Sequence, residues 1–244
     1  QPAQSDYYQM TRGGGNGDYH IPVFTPATMQ EAVSCIYKSF EIANKYRNPV
    51  FIMVDGMMGQ MMEPIVLPEE RSPQSVETIA RDKPWALVGR NGKAERNLFR
   101  AYAPTPAKLE SMVHHLFDKY CEMETELADA AVTGLEDAEI VFVAYGSCSR
   151  IIAEVLGLMS EKGIKAGMIR PKTVWPFPKA AFDQISPKTK VVCSVEMSMG
   201  QMLTDVENVI RGRFPVRLIS RVGGNIPAPT DIMAEAEKIL GEYK

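Results

Sequence analysis

The sequence has 244 residues, of which 45% are apolar and 23% charged, the balance of a folded globular chain rather than a disordered one. Its 27 basic and 30 acidic side chains are interspersed and leave a net charge of −3. No large positive field exists to hold nucleic acid or an anionic membrane surface. No run of about 18 apolar residues occurs, so we expect no membrane-spanning helix and no membrane partner.

The cysteine spacing excludes several kinds of site. The four cysteines lie far apart: Cys35, Cys121, Cys148 and Cys193. They form no CxxC pair and no cluster with histidine, so the chain is expected to carry neither an iron–sulfur cluster nor structural zinc. Four reduced thiols favour a cytoplasmic protein. Residues 1–4 form neither a signal peptide nor an initiation site, which predicts that the natural beginning of the chain is absent.

A strand–helix–strand pattern follows a polar, turn-rich segment, residues 1–20. Ile21–Phe24 is predicted to be a short strand. A helix then begins near Thr28, because Thr28 and Glu31 have the spacing of a capping box. Apolar residues recur on one face of this helix: Met29, Ala32, Val33, Ile36, Phe40 and Ala43. Residues 49–55 form an almost uninterrupted apolar run, which predicts a buried strand in a parallel sheet covered on both faces.

The rest of the chain divides into a connector and a regular α/β region. Repeated prolines break the connector, which contains one helix from about Pro106 to Ala130. Strands are then predicted at 139–145, 166–170, 190–196 and 216–222, and helices at 150–162, 178–185, 200–211 and 231–242. This alternation is the signature of a doubly wound parallel sheet. We therefore predict three parts, residues 1–65, 66–137 and 138–244.

Two glycine-containing segments are candidates for an anion site. Gly13–Asp18 could cradle a phosphate through backbone amides, but it precedes a strand and fits no phosphate-binding motif, which favours a flexible turn. Gly146–Ser149 lies between a strand and a helix, where amides can bind an anion. It lacks a second glycine, which favours an ordinary turn, and both alternatives stay open.

Two carboxylates end predicted strands, where the ligands of open α/β sheets gather. Glu196 caps the helix that follows, makes a subunit contact, or is an ionisable group with a raised pKa beside methionines, and Asp55 is equally ambiguous. The histidines offer little chemistry. His114 and His115 are adjacent and point to different sides of a helix, so they cannot chelate one ion together. Neither a serine triad nor cysteine catalysis is supported.

Several stretches together resemble the thiamine-diphosphate-dependent 2-oxoacid:ferredoxin oxidoreductases. The N-terminal stretches are residues 1–9, Thr11–Gly15, Gly17–Tyr19, Thr25–Pro26, Gln30–Ala32, Pro49–Val50 and Asp55–Gly56. Two C-terminal stretches, Arg170–Pro178 and Glu196–Met202, resemble the second domain of that family. The resemblance covers nearly the whole chain. It is closest to the alpha-type subunit, which carries the pyrimidine-binding domain, of the 2-ketoisovalerate type.

The resemblance implies an α/β chain: the C-terminal part of a thiamine-diphosphate pyrimidine-binding domain, followed by a transketolase-C-terminal-like parallel-sheet domain. It implies oxidative decarboxylation of a 2-oxoacid to the acyl-CoA, with electrons passing to ferredoxin. Thiamine diphosphate and magnesium would be shared with a diphosphate-binding, beta-type subunit. A ferredoxin-like subunit would carry the iron–sulfur clusters. The substrates would be CoA and the 2-oxoacid, and the chain would form homodimers.

The resemblance also implies that the first half of the pyrimidine-binding domain, roughly 100 residues or more, precedes this sequence. The glutamate that activates the aminopyrimidine and the arginine that binds the substrate carboxylate would belong to that half. We therefore expect no catalytic residue in this chain, and we expect the chain alone to bind no cofactor and to be inactive. The strands at Ile21 and Pro49 would stand in an incomplete sheet with an open apolar edge.

Near the cofactor, this chain would contribute the loop at residues 1–20. Gln4, Ser5 and Asp6 can hydrogen-bond a polar ligand, and Arg12 can pair with a carboxylate or phosphate. These four residues are predicted to line the edge of the thiamine pocket, and a subunit-contact loop is the alternative. For the whole chain, the alternative is a non-catalytic assembly or dimerisation module. Another thiamine enzyme, of the transketolase or dehydrogenase type, is a third hypothesis.

Overall fold

The computed structural model describes residues 1–14, 17–70, 72–90, 97–99 and 102–243. Gly15 and Asn16 of the glycine-rich segment lie outside the described residues. The chain forms two compact units, one of residues 1–65 with 117–244 and the other of residues 66–116. The three-part division made from the sequence stays a prediction.

The elements alternate along most of the chain. The helices are α1 (Tyr7–Thr11), α2 (Met29–Tyr46), α3 (Val76–Asp82), α4 (Pro106–Leu127), α5 (Gly146–Glu161), α6 (Gln201–Ile210) and α7 (Pro229–Gly241). The strands are β1 (Val23–Phe24), β2 (Phe51–Ile52), β3 (Ala130–Thr133), β4 (Ile140–Val143), β5 (Ala166–Pro171), β6 (Thr173–Trp175), β7 (Val191–Glu196) and β8 (Val216–Ser220). Two short 3₁₀ helices span Met58–Gln60 and Lys179–Gln184.

A five-stranded sheet with the order β3-β5-β4-β7-β8 forms the core of the larger unit. The strands β5, β4, β7 and β8 are parallel, which confirms the predicted doubly wound sheet. The edge strand β3 runs antiparallel to β5 and was not predicted. Ala130, its first residue, was assigned to the end of the long helix. A short edge strand with only two partly buried residues gives little sequence signal.

Both faces of this sheet are covered, because all residues of β4 and β7 are buried. Ile140 and Phe142 belong to the main apolar core, together with residues of α5 and α7. The helix α6 contacts β7 and β8 and buries Met202, Val206 and Ile210. Strands buried on both faces explain why their sequences are continuous apolar runs.

A second, three-stranded sheet has the order β2-β1-β6. Its strands β1 and β2 are parallel, whereas β6 is antiparallel to β1 and comes from the region after β5. The strand predicted over residues 49–55 is wrong in extent and burial. Only Phe51 and Ile52 are in a strand, both are half-buried, and Val54 is 46% exposed. The reason is that β2 is an edge strand of this sheet.

The helix α2 starts at the predicted residue, but it buries a different face from the predicted one. Thr28 Oγ1 accepts from the Glu31 amide at 3.1 Å, and the Glu31 carboxylate accepts from the Ala27 amide at 2.8 Å. The predicted core face is wrong, since Ile36 and Phe40 are 47% and 69% exposed. The fully buried side chains of α2 are Ile42 and Tyr46. The described residues leave the Ile36–Phe40 face uncovered.

Two further boundaries differ from the predictions. The helix α5 begins at Gly146 rather than Arg150, so the predicted Gly146–Ser149 turn is its first turn. The helix predicted over residues 178–185 is a 3₁₀ helix. Within the described ranges, no helix combines the length and the apolar character needed to cross a bilayer.

Candidate functional site

The carboxyl ends of β4 and β7 form the position at which a doubly wound sheet usually binds its ligand. The chain continues from β4 to β5 on one side and later adds β7 on the other side, so the winding reverses between β4 and β7. These two strands lead into α5 and α6, and the first amides of a helix attract negative charge. We call this position the switch-point crevice.

The amino end of α6 is occupied by Glu196, the last residue of β7. The Glu196 side chain is fully buried and accepts from the amides of Met202 at 3.1 Å and Leu203 at 3.0 Å. It also accepts from the hydroxyls of Ser194, at 2.9 Å, and Ser198. Of the alternatives for this carboxylate, the contacts support the helix cap, and its hydrogen-bonding capacity is used within the chain.

The amino end of α5 is occupied by Asp55, which follows β2 of the other sheet. Asp55 Oδ2 accepts from the Ser147 amide at 3.2 Å, and Oδ1 accepts from the Ser147 hydroxyl at 2.8 Å. Asp55 Oδ1 also accepts from the amides of Met57 and Met58. The Gly146–Ser149 segment does bind an anion, but the anion is a carboxylate of the chain itself.

Gly146 is required by this close approach. Its φ is +55°, and a Cβ placed on it would lie 3.3 Å from both Asp55 Oδ2 and Gln4 Nε2. Only glycine adopts this conformation without strain and leaves room for both side chains.

Gln4 fills the crevice between the two helix ends. Its side chain donates to the Tyr145 carbonyl at 3.0 Å and accepts from the Met197 amide at 3.0 Å. Its own amide donates to the Met197 carbonyl at 3.0 Å, and the Tyr145 hydroxyl donates to the Gln4 carbonyl at 3.3 Å. Gln4 is only 4% exposed. It thus bridges the ends of β4 and β7 as a ligand would.

The residues after Gln4 bind along α6. The Tyr8 amide donates to Gln201 Oε1 at 2.8 Å, and Gln201 Nε2 donates to the Ser5 carbonyl at 2.8 Å. The Tyr8 and Thr204 hydroxyls are 2.7 Å apart. Asp6 precedes α1 and makes no side-chain cap, and both Ser5 and Asp6 are exposed. We call residues 4–12 the N-terminal clasp.

Arg12 ends the clasp beside a cavity. Its Nη2 donates to Asp205 Oδ1 at 2.5 Å, and its guanidinium carbon lies 4.7 Å from the centre of the Tyr8 ring. Arg12 and Asp205 line a cavity of about 220 Å³ together with His20 and Trp175. The side chain of Arg12 is still 38% exposed. Of the four predicted site residues, only Arg12 lines this cavity as the described residues form it.

His20 lies stacked on Trp175, with ring centres 4.8 Å apart and an interplanar angle of 10°. Its Nδ1 is buried and has no hydrogen-bond partner among the described residues. Burial lowers the pKa of His20, and the negative charge of Glu124 acts weakly in the opposite direction.

Two of the four cysteines, Cys148 and Cys193, are poor nucleophiles. All four are free thiols, and burial raises the pKa of Cys148 and of Cys193 to about 12. Across the described ranges, no group of three or more His, Cys, Asp or Glu side chains is arranged to hold a metal ion.

The structure separates the four predicted site residues by role. Gln4 is buried between the two strand ends, Ser5 and Asp6 face outward, and Arg12 is paired with Asp205. Their assignment to the thiamine pocket stays a prediction. Sequence reasoning missed Tyr7, whose hydroxyl donates to Asp205 Oδ2 at 2.6 Å across 198 positions of sequence. No local pattern could have revealed that contact.

The fold and the contacts at the switch-point crevice define an α/β chain whose N-terminal clasp occupies the ligand crevice of its five-stranded sheet. Residues 1–131 match the family model described as pyruvate flavodoxin/ferredoxin oxidoreductase, thiamine diphosphate-binding, and residues 138–232 match core domain II of pyruvate:ferredoxin oxidoreductase. The chain belongs to this oxidoreductase family, which confirms the resemblance found in the sequence.

Relatives and a solved structure agree with this assignment. The chain is 36% and 34% identical, over 99% of its length, to the ketoisovalerate oxidoreductase subunit VorB of Methanothermobacter marburgensis and Methanothermobacter thermautotrophicus. It spans 66% of the length of each. It is 30% identical to the 2-oxoglutarate synthase subunit KorA of Methanothermobacter marburgensis, over 98% of this chain and 68% of that protein.

A 2-oxoglutarate:ferredoxin oxidoreductase from Magnetococcus marinus, solved with 2-oxoglutarate, coenzyme A and succinyl-CoA bound, has the same fold. The TM-score is 0.72 at 20% identity, and the match covers 98% of this chain and 45% of that one.

Proposed function

We propose that this chain is part of a subunit of a thiamine-diphosphate-dependent 2-oxoacid:ferredoxin oxidoreductase, and that 2-ketoisovalerate is its 2-oxoacid. The observation that carries the proposal is the 36% identity to a ketoisovalerate oxidoreductase subunit over 99% of this chain, compared with 30% to a 2-oxoglutarate synthase subunit. The complex would convert the 2-oxoacid and CoA to acyl-CoA and carbon dioxide. Two electrons would leave, one at a time, to ferredoxin.

Thiamine diphosphate, when bound, would supply the nucleophile and the electron sink that decarboxylation of a 2-oxoacid needs. The amino ends of α5 and α6, which could bind a diphosphate, are satisfied by Asp55 and Glu196. We therefore assign the diphosphate and the magnesium ion to a beta-type partner subunit. This chain would then bind the cofactor on the side of its pyrimidine ring.

The chain's own residues would bind and orient at the edge of that site. We propose that Gln4, Ser5, Asp6 and Arg12 line the pocket as one loop. Gln4 anchors the loop through its contacts to Tyr145 and Met197, Ser5 and Asp6 present exposed polar groups, and Arg12 supplies positive charge. A guanidinium is well suited to a carboxylate or phosphate, because it donates in a fixed planar geometry.

The partners are proposed on the same basis. A beta-type subunit completes the cofactor site, a ferredoxin-like subunit carries the iron–sulfur clusters, and the alpha-type chain pairs with a second copy. The four free thiols support a cytoplasmic location, since disulfides are rare there.

The test is anaerobic viologen reduction by the complete alpha-type subunit, coexpressed with its neighbouring subunits and loaded with clusters. Thiamine diphosphate, magnesium and CoA are present throughout, and 2-ketoisovalerate, pyruvate and 2-oxoglutarate are supplied in turn. We expect CoA-dependent reduction with the highest kcat/KM for 2-ketoisovalerate. A preference for 2-oxoglutarate would correct the substrate, and no reduction with any 2-oxoacid would favour a non-catalytic assembly module.

A further inference from the structure

Asp205, on α6, is held by two residues of the N-terminal clasp. The Tyr7 hydroxyl donates to Asp205 Oδ2 at 2.6 Å, while Arg12 Nη2 donates to Oδ1 at 2.5 Å. Tyr7 is fully buried, and the side chain of Asp205 is only 19% exposed. Burial, reinforced by the Asp205 carboxylate, raises the pKa of Tyr7 well above its ordinary value. Tyr7 therefore stays a hydrogen-bond donor at neutral pH and fixes the carboxylate from one side.

The orientation of Arg12 is then defined by three contacts. Asp205 binds Nη2, the Thr11 hydroxyl accepts from Nη1 at 3.2 Å, and the Tyr8 ring lies under the guanidinium carbon. A guanidinium has five N–H donors, so these contacts leave donors for a further partner. Arg12 lines the 220 Å³ cavity, and its side chain is 38% exposed.

The cavity carries a balanced set of charges. It is also lined by Lys179, whose Nζ lies 3.3 Å from a carboxylate oxygen of Glu124. Each cation thus has an acidic partner, and the cavity attracts an anion only through the directed N–H groups of its cations. His20, whose buried Nδ1 has no hydrogen-bond partner among the described residues, also lines the cavity. Because the charge of Arg12 is balanced by Asp205, the affinity for an anion depends more on where the guanidinium N–H groups point than on its net charge.

We propose that Asp205 is a positioning residue: held by Tyr7, it directs Arg12 into the cavity, where the remaining N–H groups bind an anionic group. The inference rests on the proposed function, in which Arg12 lies at the edge of the active site. The anion is a carboxylate or a phosphate, and it comes either from the 2-oxoacid or from the cofactor. Asp205 lies on α6 of the C-terminal sheet domain, so this domain would contribute to binding by orienting Arg12.

The experiment uses the complete complex and four variants of the alpha-type subunit: Arg12→Ala, Asp205→Asn, the double variant, and Glu207→Gln as control. Glu207 lies on the same helix and is exposed. For each variant we would measure kcat, the KM for the 2-oxoacid, the half-saturating concentration of thiamine diphosphate, and the melting temperature.

We expect Asp205→Asn to raise one of the two binding constants about tenfold, the size typical of coupled neighbours, with kcat and melting temperature near those of the wild type. The constant that changes identifies the source of the anion. Arg12→Ala should raise the same constant, and Asp205→Asn should add nothing in the Arg12→Ala background. Glu207→Gln should behave as the wild type.

The outcomes separate the two proposals. An inactive wild-type complex would overturn the proposed function. An active complex in which Arg12→Ala changes neither binding constant would overturn the role of Arg12 and with it the inference. If Arg12→Ala is impaired while Asp205→Asn is unchanged, or if the two effects simply add, only the inference fails. Should Asp205→Asn lower the melting temperature, Tyr7→Phe provides the same test, since it removes only the hydroxyl that holds Asp205.

Discussion

Gln4 illustrates how a single side chain can take the place of a ligand. A primary amide donates and accepts at once, so it satisfies both the Tyr145 carbonyl and the Met197 amide at the ends of two parallel strands. Burial makes these contacts important, because a buried polar group without a partner is costly. The crevice that binds ligands in other doubly wound sheets is here a joint within the chain.

We predict that Gln4→Ala lowers the free energy of unfolding by about 2–3 kcal/mol, since it leaves two buried backbone groups unpaired. Urea denaturation of this chain measures the loss. Gln184→Ala, at an exposed position, is the matched control and should leave the midpoint unchanged. Equal midpoints for all three proteins would contradict the anchoring role of Gln4.

His20 gives stability a pH dependence of known sign. Burial lowers its pKa in the folded chain below the ordinary value of 6.5, so just below pH 6.5 the unfolded chain binds a proton that the folded chain does not. The free energy of unfolding therefore rises with pH through that window. We predict a smaller slope for His20→Phe, which keeps the ring stacked on Trp175. Urea denaturation between pH 5 and pH 7 tests this, and parallel curves would refute it.

At the scale of the elements, two helices begin on carboxylates supplied by strand ends. Asp55 comes from the small sheet and Glu196 from the large one, so the amino ends of α5 and α6 are capped from different parts of the chain. Because Asp55 follows a strand of the three-stranded sheet and caps a helix of the five-stranded sheet, the cap couples the folding of the two sheets. The positive φ of Gly146 and the atoms around its Cβ position make this site intolerant of residues other than glycine.

A pair of glycine substitutions within α5 should have opposite effects. Gly146→Ala is predicted to destabilise the chain by about 2 kcal/mol, because it places a side chain at positive φ against Asp55 and Gln4. Gly157→Ala, in the same helix and with nothing outside that helix within 4 Å of its Cβ position, should stabilise by about 0.5–1 kcal/mol. Thermal and urea unfolding of both variants measure these changes in the free energy of unfolding. Destabilisation of equal size in both would contradict it.

The sequence predicted the elements whose signal is local and continuous. The apolar runs of β4 and β7 and the cap of α2 at Thr28 were found, because fully buried strands and capping residues are visible in short windows. The strands β3 and β6 were missed, since each is short and exists only through pairing with β5 or β1. The contact of Tyr7 with Asp205 was invisible for the same reason.

At the scale of the whole molecule, apolar side chains near the small sheet are left exposed in the larger unit. Ile36 and Phe40 of α2 are exposed, as is Val54 beyond β2, and the β2 edge of the small sheet is unpaired in the described residues. The curated relatives are longer than this chain, which spans 66% of the VorB proteins. An exposed apolar face beside a free strand edge favours association.

We predict that this chain alone self-associates as its concentration rises, and that the double variant Ile36→Lys/Phe40→Lys weakens the association without unfolding the protein. Sedimentation velocity at several concentrations measures it, with circular dichroism as the folding check. Val222→Lys, at a 43% exposed apolar position after β8 of the five-stranded sheet, is the control and should associate as the wild type does. A wild-type chain that is monomeric throughout would contradict the prediction.

The central claim is that the chain works in a 2-oxoacid oxidoreductase whose electrons pass to ferredoxin. The most direct test is the stoichiometry of the purified complex supplied with 2-ketoisovalerate, CoA and oxidised one-electron ferredoxin under anaerobic conditions. Acyl-CoA is quantified by chromatography and reduced ferredoxin by absorbance. The account predicts two ferredoxins reduced for each acyl-CoA formed. Acyl-CoA formation that requires a nicotinamide or flavin acceptor and leaves ferredoxin oxidised would contradict it.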